Sequence, residues 1–219
     1  MRPTRFTPIG FTPMARFLVV LLLAVFAAAP AYAATASFAP GGPDALVQST
    51  VDDVIAVMKK TESKRVLRQL AEEKILPRFD FREMTRMAVG RSWREATPAQ
   101  QDSLEAAFRS ILVNTYTAAL NRTDLKAVGV PSVEVRPAQV DQNDAVVKTL
   151  VRWGDGKRAA QVDYRMSNTE GAWKVTDVVV EGLSLVVTYR GTFSETINRS
   201  GIAGLINVLE TKSRAIAGS

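Results

Sequence analysis

The chain has 219 residues, of which 47% are hydrophobic and 23% charged, with a formal net charge of +6. It contains no cysteine and no histidine. This composition excludes disulfides, a Ser-His-Asp triad and a histidine metal site. A metal site built from carboxylates alone, or an Asp/Tyr pair for proton transfer, remains open at this point.

The first 33 residues are typical of a cleavable export signal. Three arginines and no acid precede an apolar run of 13 residues at 17–29. The sequence AYA at 31–33 is the small-x-small pattern that signal peptidase cleaves. A retained anchor is the alternative, although 13 residues are too few to span a bilayer. Cleavage after Ala33 leaves 186 of the 219 residues with a net charge of +3, which argues against a nucleic-acid partner.

The exported part is predicted to begin with a loose segment and to continue as one domain. Residues 34–43 are rich in Ala, Pro and Gly, which predicts a flexible mature N-terminus. Residues 44–219 have the length of a single domain with its own core. Helical spacing predicts four helices in its first part. They cover about 45–58 (capped by Asp44), 62–75, 79–89 and 97–120, the last opened by the capping box Thr97-Pro98-Ala99-Gln100.

The apolar period then changes from that of a helix to the alternation of β-strands. Strands are predicted near 133–136, 145–153, 160–167 and 172–180, with turns at 154–156 and 168–171. Short turns make the last three strands an antiparallel meander. Helical spacing returns after Gly182 and is interrupted at Gly201. The predicted fold class is α+β: a meander sheet of about four strands covered by N- and C-terminal helices, enclosing an apolar cavity.

The residues predicted to face the interior are almost free of polar groups. A half-open sheet covered by helices often leaves a cavity, and an apolar lining suits a lipid tail. The same residues are equally compatible with a filled core, because periodicity does not distinguish the two. The candidates are Leu112, Tyr116, Val147, Val151, Val162, Tyr164, Val175, Val179, Leu185 and Tyr189.

Several longer segments carry a resemblance to a known family. They are FDFREMTRMAVGRSWREATPAQ (79–100), FRSILVNTYTAAL (108–120), VDYRM (162–166) and WKVTDVVVEGLSLVVTYRGTFSETINRSGIAGLI (173–206). In this order, behind an export signal, they resemble the MlaC family of periplasmic phospholipid-binding proteins, also called the toluene-tolerance auxiliary family. The likeness covers roughly residues 44–212.

The resemblance implies a periplasmic carrier that is not an enzyme and has no cofactor, with a glycerophospholipid as its cargo. The acyl tails would lie inside the protein, partly against the segment DVVVEGLSLVV (177–187). Two membrane partners are implied, with transient docking to each. One is the inner-membrane Mla ABC transporter complex and the other is the outer-membrane Mla lipoprotein complex. The implied role is to maintain the lipid asymmetry of the outer membrane.

Polar residues near the predicted cavity suggest contacts with the head group and with partners. The hydroxyls of Tyr116, Tyr164 and Tyr189 are placed to reach an ester or a phosphate, or to bond to backbone in a core. Arg190 is placed to meet a phosphate at the mouth. Arg82 and Arg86 are predicted to form part of a basic patch that docks an acidic partner or anionic head groups.

Two functions from other classes remain as alternatives. The first is an enzyme of the steroid-isomerase kind, which uses an aspartate base and a tyrosine donor in an apolar pocket. Asp177 is the only fair base in that reading, because alternation places Asp163 on the face opposite Tyr164. The second is a binding or assembly module without a ligand. We predict no catalytic residue and no metal site.

Overall fold

The computed structural model describes residues 38–124, 129–153 and 158–218. The predicted signal peptide, residues 34–37 of the predicted flexible segment 34–43 and the turn predicted at 154–156 lie outside the described residues. The described helices are α1 (Pro43–Met58), α2 (Lys64–Leu70), α3 (Phe81–Val89), α4 (Pro98–Arg122) and α5 (Leu185–Ala217). A π-helical turn (Ala71–Ile75) and a 3-10 turn (Leu76–Arg78) follow α2, and a second 3-10 turn (Gly90–Arg94) follows α3. None of these helices combines the length and apolarity needed to cross a bilayer.

One antiparallel sheet lies between α4 and α5 in the chain. Its strands are β1 (Ser132–Val135), β2 (Gln139–Asp141), β3 (Asp144–Trp153), β4 (Arg158–Thr169), β5 (Ala172–Val180) and β6 (Leu183–Ser184). The strand order is β1-β3-β4-β5-β6, and β2 also pairs with β3. The predicted α+β class and the meander of β3, β4 and β5 are confirmed. The sheet has six described strands rather than about four, because the short strands β2 and β6 add to its edges.

A β-bulge between β4 and β5 changes which side chains of β5 face the helices. The pairing runs from Arg165 opposite Asp177 to Met166 opposite Val175, so that Thr176 is the extra residue. Beyond the bulge, Val178 lies opposite Tyr164 and Val179 opposite Asp163. Directly opposite residues share a face of the sheet. Val179 therefore lies on the face of Asp163 and not on the inward face predicted for it, because simple alternation does not anticipate a bulge.

The capping box predicted at the start of α4 is confirmed. The side chain of Thr97 accepts a hydrogen bond from the backbone N–H of Gln100 at 3.3 Å. The side chain of Gln100 accepts one from the backbone N–H of Thr97 at 2.9 Å. These two bonds satisfy N–H groups that the first turn of a helix leaves free.

The prediction that Asp44 caps the first helix was wrong. Helix α1 begins at Pro43 with Gly42 as its N-cap. One carboxylate oxygen of Asp44 accepts from the N–H of Ala45, and the other accepts from the N–H of Ala138 at 3.0 Å. Asp44 therefore connects α1 to the loop between β1 and β2, a contact that spacing along the chain does not reveal.

The helix predicted at 62–75 is divided in the structure. The α-helical part ends at Leu70, a π-helical turn follows to Ile75, and Pro77 lies inside the 3-10 turn. Proline has no N–H and its ring clashes with the carbonyl four residues earlier, so a regular helix does not continue through it. The chain then attaches to the sheet, because the N–H of Asp80 donates to the carbonyl of Val175 at 2.9 Å.

Helix α5 packs along α4 through an aromatic cluster. Phe108 of α4 lies 4.8 Å from Tyr189 and 5.2 Å from Phe193, measured between ring centroids. Gly201 has φ +69° and ψ −178° inside α5 and divides it into two parts, as the sequence predicted. Only glycine adopts this conformation readily, because it has no Cβ. The cluster joins the two longest helices over the sheet and fixes the walls of the site described next.

Candidate functional site

Two apolar chambers lie inside the protein. The first, the helical chamber, has an empty volume of about 840 Å³ and lies between the α2 region, α3 and α4. Val178 of β5 and Leu185 of α5 complete its wall. Its main apolar lining is formed by Ile75, Leu76, Phe79, Met84, Leu112, Val113 and Leu120.

The second, the sheet chamber, has an empty volume of about 880 Å³ and lies between α1 and the concave sheet. Its helical side is formed by Leu46, Val47, Val51, Val54 and Ile55 of α1. Its sheet side is formed by Val133, Val151, Tyr164, Met166 and Val175. The apolar stripe of α1 therefore covers a space rather than the sheet itself.

Ile75 and Phe79 line both chambers and separate them. The ring of Phe79 stacks on Phe81 at a centroid distance of 5.9 Å, and its backbone lies beside Val175 of β5. Both side chains are half-buried, so the separating wall reaches toward the surface. The two chambers therefore adjoin along this wall.

The polar groups of the two linings lie near the surface. Arg68 and Glu72 border the helical chamber, and Arg78 borders the sheet chamber. All three are exposed. The deeper lining is hydrocarbon, apart from a few hydroxyl groups. This distribution suits a ligand with an apolar body and a polar end near water.

Two tyrosines place their hydroxyls at the chambers. Tyr116 lines the helical chamber and Tyr164 lines the sheet chamber. Burial raises the pKa of Tyr116 well above its usual value, with a smaller contribution from Tyr189, and burial raises the pKa of Tyr164 to about 12. Both phenols are therefore neutral donors near pH 7. No hydrogen bond joins either hydroxyl to another described residue, so each is available to an ester or phosphate oxygen.

Comparison with known proteins identifies the family. Residues 48–211 match the family model described as MlaC protein. This chain belongs to the MlaC family. Over 108 residues it is 27% identical to Toluene tolerance protein ttg2D of Pseudomonas putida, a match that covers 49% of this chain and 48% of that protein. The chain thus spans about half the length of this curated relative.

A solved structure resembles this MlaC-family chain more completely. It is the phospholipid-binding protein from Ralstonia solanacearum in complex with a phospholipid. The two proteins share 33% identity with a TM-score of 0.66, over 80% of this chain and 98% of the Ralstonia chain. The predicted resemblance and the predicted fold class are both confirmed by these comparisons.

The chambers of this MlaC-family chain bring together six of the predicted site residues. Leu112, Tyr116 and Leu185 line the helical chamber. Val151, Tyr164 and Val175 line the sheet chamber. The segment 177–187 that the sequence singled out contributes Val178 and Leu185 to the helical chamber. Contact of these residues with a lipid stays a prediction.

The other five predicted residues lie elsewhere. Val147 and Val162 are fully buried beneath the chamber walls, and Val179 is on the other face of the sheet. Tyr189 packs against Phe108 and Phe193 in the aromatic cluster. Arg190 lines neither chamber described here and instead borders a separate groove. Regular spacing identified these positions as inward or near the mouth, but did not resolve what fills the interior.

Sequence reasoning missed the separating wall. Ile75 and Phe79 flank Pro77 in the segment ILPRFDF (75–81). Four apolar residues close to a helix-breaking proline are a signal that a helix ends against something apolar. That signal was available, but it does not indicate that two chambers meet there. The stripe of α1 was recognised as apolar without being assigned to a cavity.

Asp177, the residue on which the enzyme alternative depends, is fully engaged. It is buried, and its carboxylate accepts from the hydroxyl of Ser184 at 2.6 Å and from the N–H of Val186 at 3.1 Å. Arg165 lies 3.6 Å away. Asp177 lines neither chamber and closes the first turn of α5, which is a structural role. Among the described residues, no group of acidic side chains is arranged to hold a metal ion.

The predicted docking residues Arg82 and Arg86 are exposed but paired. Arg82 contacts Asp102 at 2.9 Å and Glu105 at 3.1 Å. Arg86 contacts Glu83 at 2.5 Å. The pKa of Arg82 is raised, mainly by its hydrogen bond to Asp102. The pKa of Arg86 is also raised, mainly by its hydrogen bond to Glu83. Their role in docking stays a prediction, and these pairs reduce the positive charge that they offer to a partner.

Proposed function

We propose that this protein is a periplasmic phospholipid carrier that holds one acyl chain in each chamber. The observation that carries the proposal is the pair of apolar chambers that share Ile75 and Phe79 in their linings, with polar side chains only near the surface. A glycerophospholipid has two apolar branches joined at a polar glycerol. The bound phospholipid in the related Ralstonia structure supports this cargo class.

The proposed lipid lies across the separating wall. The glycerol sits over Ile75 and Phe79, with its ester oxygens within reach of the Tyr116 and Tyr164 hydroxyls. The phosphate points toward solvent beside Arg78. No catalytic step is needed, because the lipid leaves chemically unchanged, and no cofactor takes part.

Burial energetics imply that release needs a second apolar site. At about 0.8 kcal/mol per methylene, two chains of about 16 carbons lose on the order of 25 kcal/mol on transfer into water. Such a ligand does not dissociate into water on a useful timescale. Transfer into a membrane or another apolar pocket is nearly balanced, because one apolar medium replaces another. The carrier must therefore dock before it delivers.

The proposed partners follow from the MlaC family. After removal of residues 1–33 the carrier moves in the periplasm between an outer-membrane Mla lipoprotein complex and an inner-membrane Mla ABC transporter complex. This exchange maintains the lipid asymmetry of the outer membrane. Docking is transient on both sides, since one carrier must serve two partners. The predicted single domain at 44–219 carries the whole cargo site.

The proposal is tested by filling the chambers. Val113→Trp narrows the helical chamber and Val51→Trp narrows the sheet chamber, while Val140→Trp on an exposed strand is the matched control. The proteins are purified from periplasmic extracts, and phospholipid per protein is measured by mass spectrometry of the extracted lipid. We expect bound phospholipid in the wild type and the control, less in each filled variant, and none in the double variant.

Two results would contradict the proposal. The first is wild-type phospholipid content in the double variant that still melts cooperatively, because the chambers would then not hold the chains. The second is a wild-type protein that carries no phospholipid at all. Rapid loss of lipid into plain buffer would contradict only the requirement for docking.

A further inference from the structure

A third concave surface lies outside both chambers. It is a broad, open groove between the 3-10 turn Gly90–Arg94, the end of α3 and the first half of α5. We call it the arginine groove. The residues that matter for its chemistry are Arg86, Arg91, Arg94, Glu95 and Arg190. It shares no lining residue with either chamber.

The groove carries an excess of positive charge. Arg86 is already paired with Glu83. Arg91 and Arg94 are exposed and form no ion pair or hydrogen bond with another described residue. Glu95 is the one carboxylate among the described lining residues. Three guanidinium groups therefore face one carboxylate, which leaves capacity for at least two further negative charges.

Arg190 is held in place for recognition. Its Nε donates to the carbonyl oxygen of Met87 at 2.8 Å, near the C-terminal end of α3. The two terminal nitrogen atoms have no bond to another described residue. A guanidinium fixed through Nε presents these two nitrogens as a fork that matches a carboxylate. Little side-chain freedom is then lost when an anion binds.

The backbone of the turn that carries Arg91 and Arg94 is held in place by contacts with buried and neighbouring residues. It begins at Gly90, whose φ of +69° and ψ of −133° favour glycine. Trp93 is buried beneath it, and the side chain of Gln101 donates to the Trp93 carbonyl at 2.9 Å. The guanidinium of Arg82 lies over the Trp93 ring at 5.5 Å. The two exposed arginines thus project from a backbone that is held from below.

We propose that the arginine groove docks an acidic segment of a partner protein. Carboxylates of such a segment would bind Arg91, Arg94 and the fork of Arg190. A concave site suits an inserted peptide segment better than the flat surface of a membrane. The groove lining includes none of the large exposed apolar side chains of the described residues, which are Val66, Val140, Leu183 and Val187. The groove therefore offers no exposed apolar side chain of this size for insertion into a bilayer. The inference goes beyond the proposed cargo, since docking here does not require occupied chambers.

The location connects docking with cargo. Met84 on α3 and Leu185 on α5 line the helical chamber, and the same two helices carry Arg86 and Arg190 at the groove. A partner bound in the groove therefore contacts both helices that form one wall of that chamber. The chain offers a clear separation of the two roles, because the groove residues and the chamber residues are different.

The test measures binding of a defined acidic peptide to the mature protein. The probe is a fluorescein-labelled peptide of twelve residues with alternating glutamate and serine, followed by fluorescence anisotropy at low and physiological salt. The groove variant is Arg91→Gln/Arg94→Gln/Arg190→Gln. The matched control, Arg65→Gln/Arg122→Gln/Arg199→Gln, loses the same charge from exposed positions outside the groove. The double variant Arg91→Gln/Arg94→Gln keeps the bond of Arg190 to Met87 and guards against misfolding.

We expect the groove variant to bind the peptide at least about tenfold more weakly, the double variant to lose part of that affinity, and the control to bind like the wild type. Vesicles of phosphatidylglycerol should not bind in preference to the peptide. Equal weakening by groove and control variants would overturn the proposal, as would a wild type that binds the vesicles but not the peptide. Phospholipid content is measured in every variant. A carrier that holds no phospholipid but still binds the peptide would contradict the proposed cargo and leave the docking proposal intact.

Discussion

The α4–α5 pair and the segment between α2 and α3 use similar apolar residues with opposite results. Between α4 and α5, Phe108, Tyr189 and Phe193 are buried and their ring centroids lie 4.8 to 5.5 Å apart. In the segment 64–78, Leu67 is the one buried residue, and the side chains of Ile75 and Leu76 face empty space. Helix α4 and the part of α5 before Gly201 are regular, so their apolar stripes stay in contact over several turns. A segment interrupted at Pro77 cannot, so space remains beneath it.

The largest expected effect contrasts one phenylalanine from each region. Phe108→Ala empties a fully buried site beside the rings of Tyr189 and Phe193 and should lower the free energy of unfolding by about 3–5 kcal/mol. Phe79→Ala removes a half-buried ring that already borders empty space, so we expect a clearly smaller loss. Urea unfolding followed by circular dichroism measures both. Equal losses would break the distinction between a filled and a hollow region.

The attachment of α5 to the sheet should give the next largest effect. Asp177→Ala removes the buried acceptor of Ser184 and Val186 and should cost about 2 kcal/mol of unfolding free energy. Asp141→Ala, at an exposed position on β2, is the control and should change little. The same urea titration measures both. A loss at Asp177 no larger than that at Asp141 would show that the bonds of Asp177 to Ser184 and Val186 do not stabilise the start of α5.

Alkaline pH should lower the stability of the protein through three tyrosines, two on the α4–α5 pair and one on β4. Burial raises the pKa of Tyr164 and Tyr189 to about 12, and it raises that of Tyr116 as well. The unfolded chain loses these protons near pH 10, before the folded protein does. The unfolding free energy should therefore be unaffected by these groups below pH 10. Tyr164 and Tyr189 should lower it between pH 10 and about 12 by about 2 kcal/mol per tyrosine, and Tyr116 should change it in the same direction.

A double variant assigns this pH dependence to the chambers. Tyr116→Phe/Tyr164→Phe keeps both rings and removes both titrating groups, so the fall above pH 10 should become smaller and leave mainly that of Tyr189. Urea midpoints measured from pH 8 to 12 report the difference. An unchanged fall would mean that the chamber tyrosines are not buried in solution.

The smallest effect concerns the polar end of the proposed cargo. Arg78 is exposed at the opening of the sheet chamber, so Arg78→Gln should change stability by no more than about 0.5 kcal/mol. Removing this charge beside the proposed phosphate should lower phospholipid content severalfold, with Arg65→Gln as the control. Lipid phosphorus per purified protein measures the change. Equal content in both variants would place the phosphate away from Arg78.

Local signals accounted for most of the fold. The capping box at Thr97, the alternation along β3 and the break at Gly201 were each predicted from a few neighbouring residues. Two errors arose where a local pattern met a distant partner. Asp44 bonds to Ala138, which lies 94 residues away, and the bulge at Thr176 depends on pairing with β4.

The candidate site was predicted only in part for the same reason. Six of the eleven proposed lining positions border a chamber, whereas Val147 and Val162 lie beneath the walls and Arg190 borders the groove. All eleven positions were either apolar residues at regular spacing or residues next to an apolar run. That spacing reports the direction of a side chain and not the distance to the next surface.

The sequence by itself determined the order of helices and strands, the main start and stop points and the resemblance to the MlaC family. Tertiary structure alone decided that two chambers exist, that Ile75 and Phe79 separate them, and that the fork of Arg190 faces a groove. The physical reason is that transfer of apolar surface out of water has nearly the same free energy whether protein or another hydrocarbon covers it. The apolar pattern of a filled core and that of a lined chamber are therefore alike until the walls are placed in space.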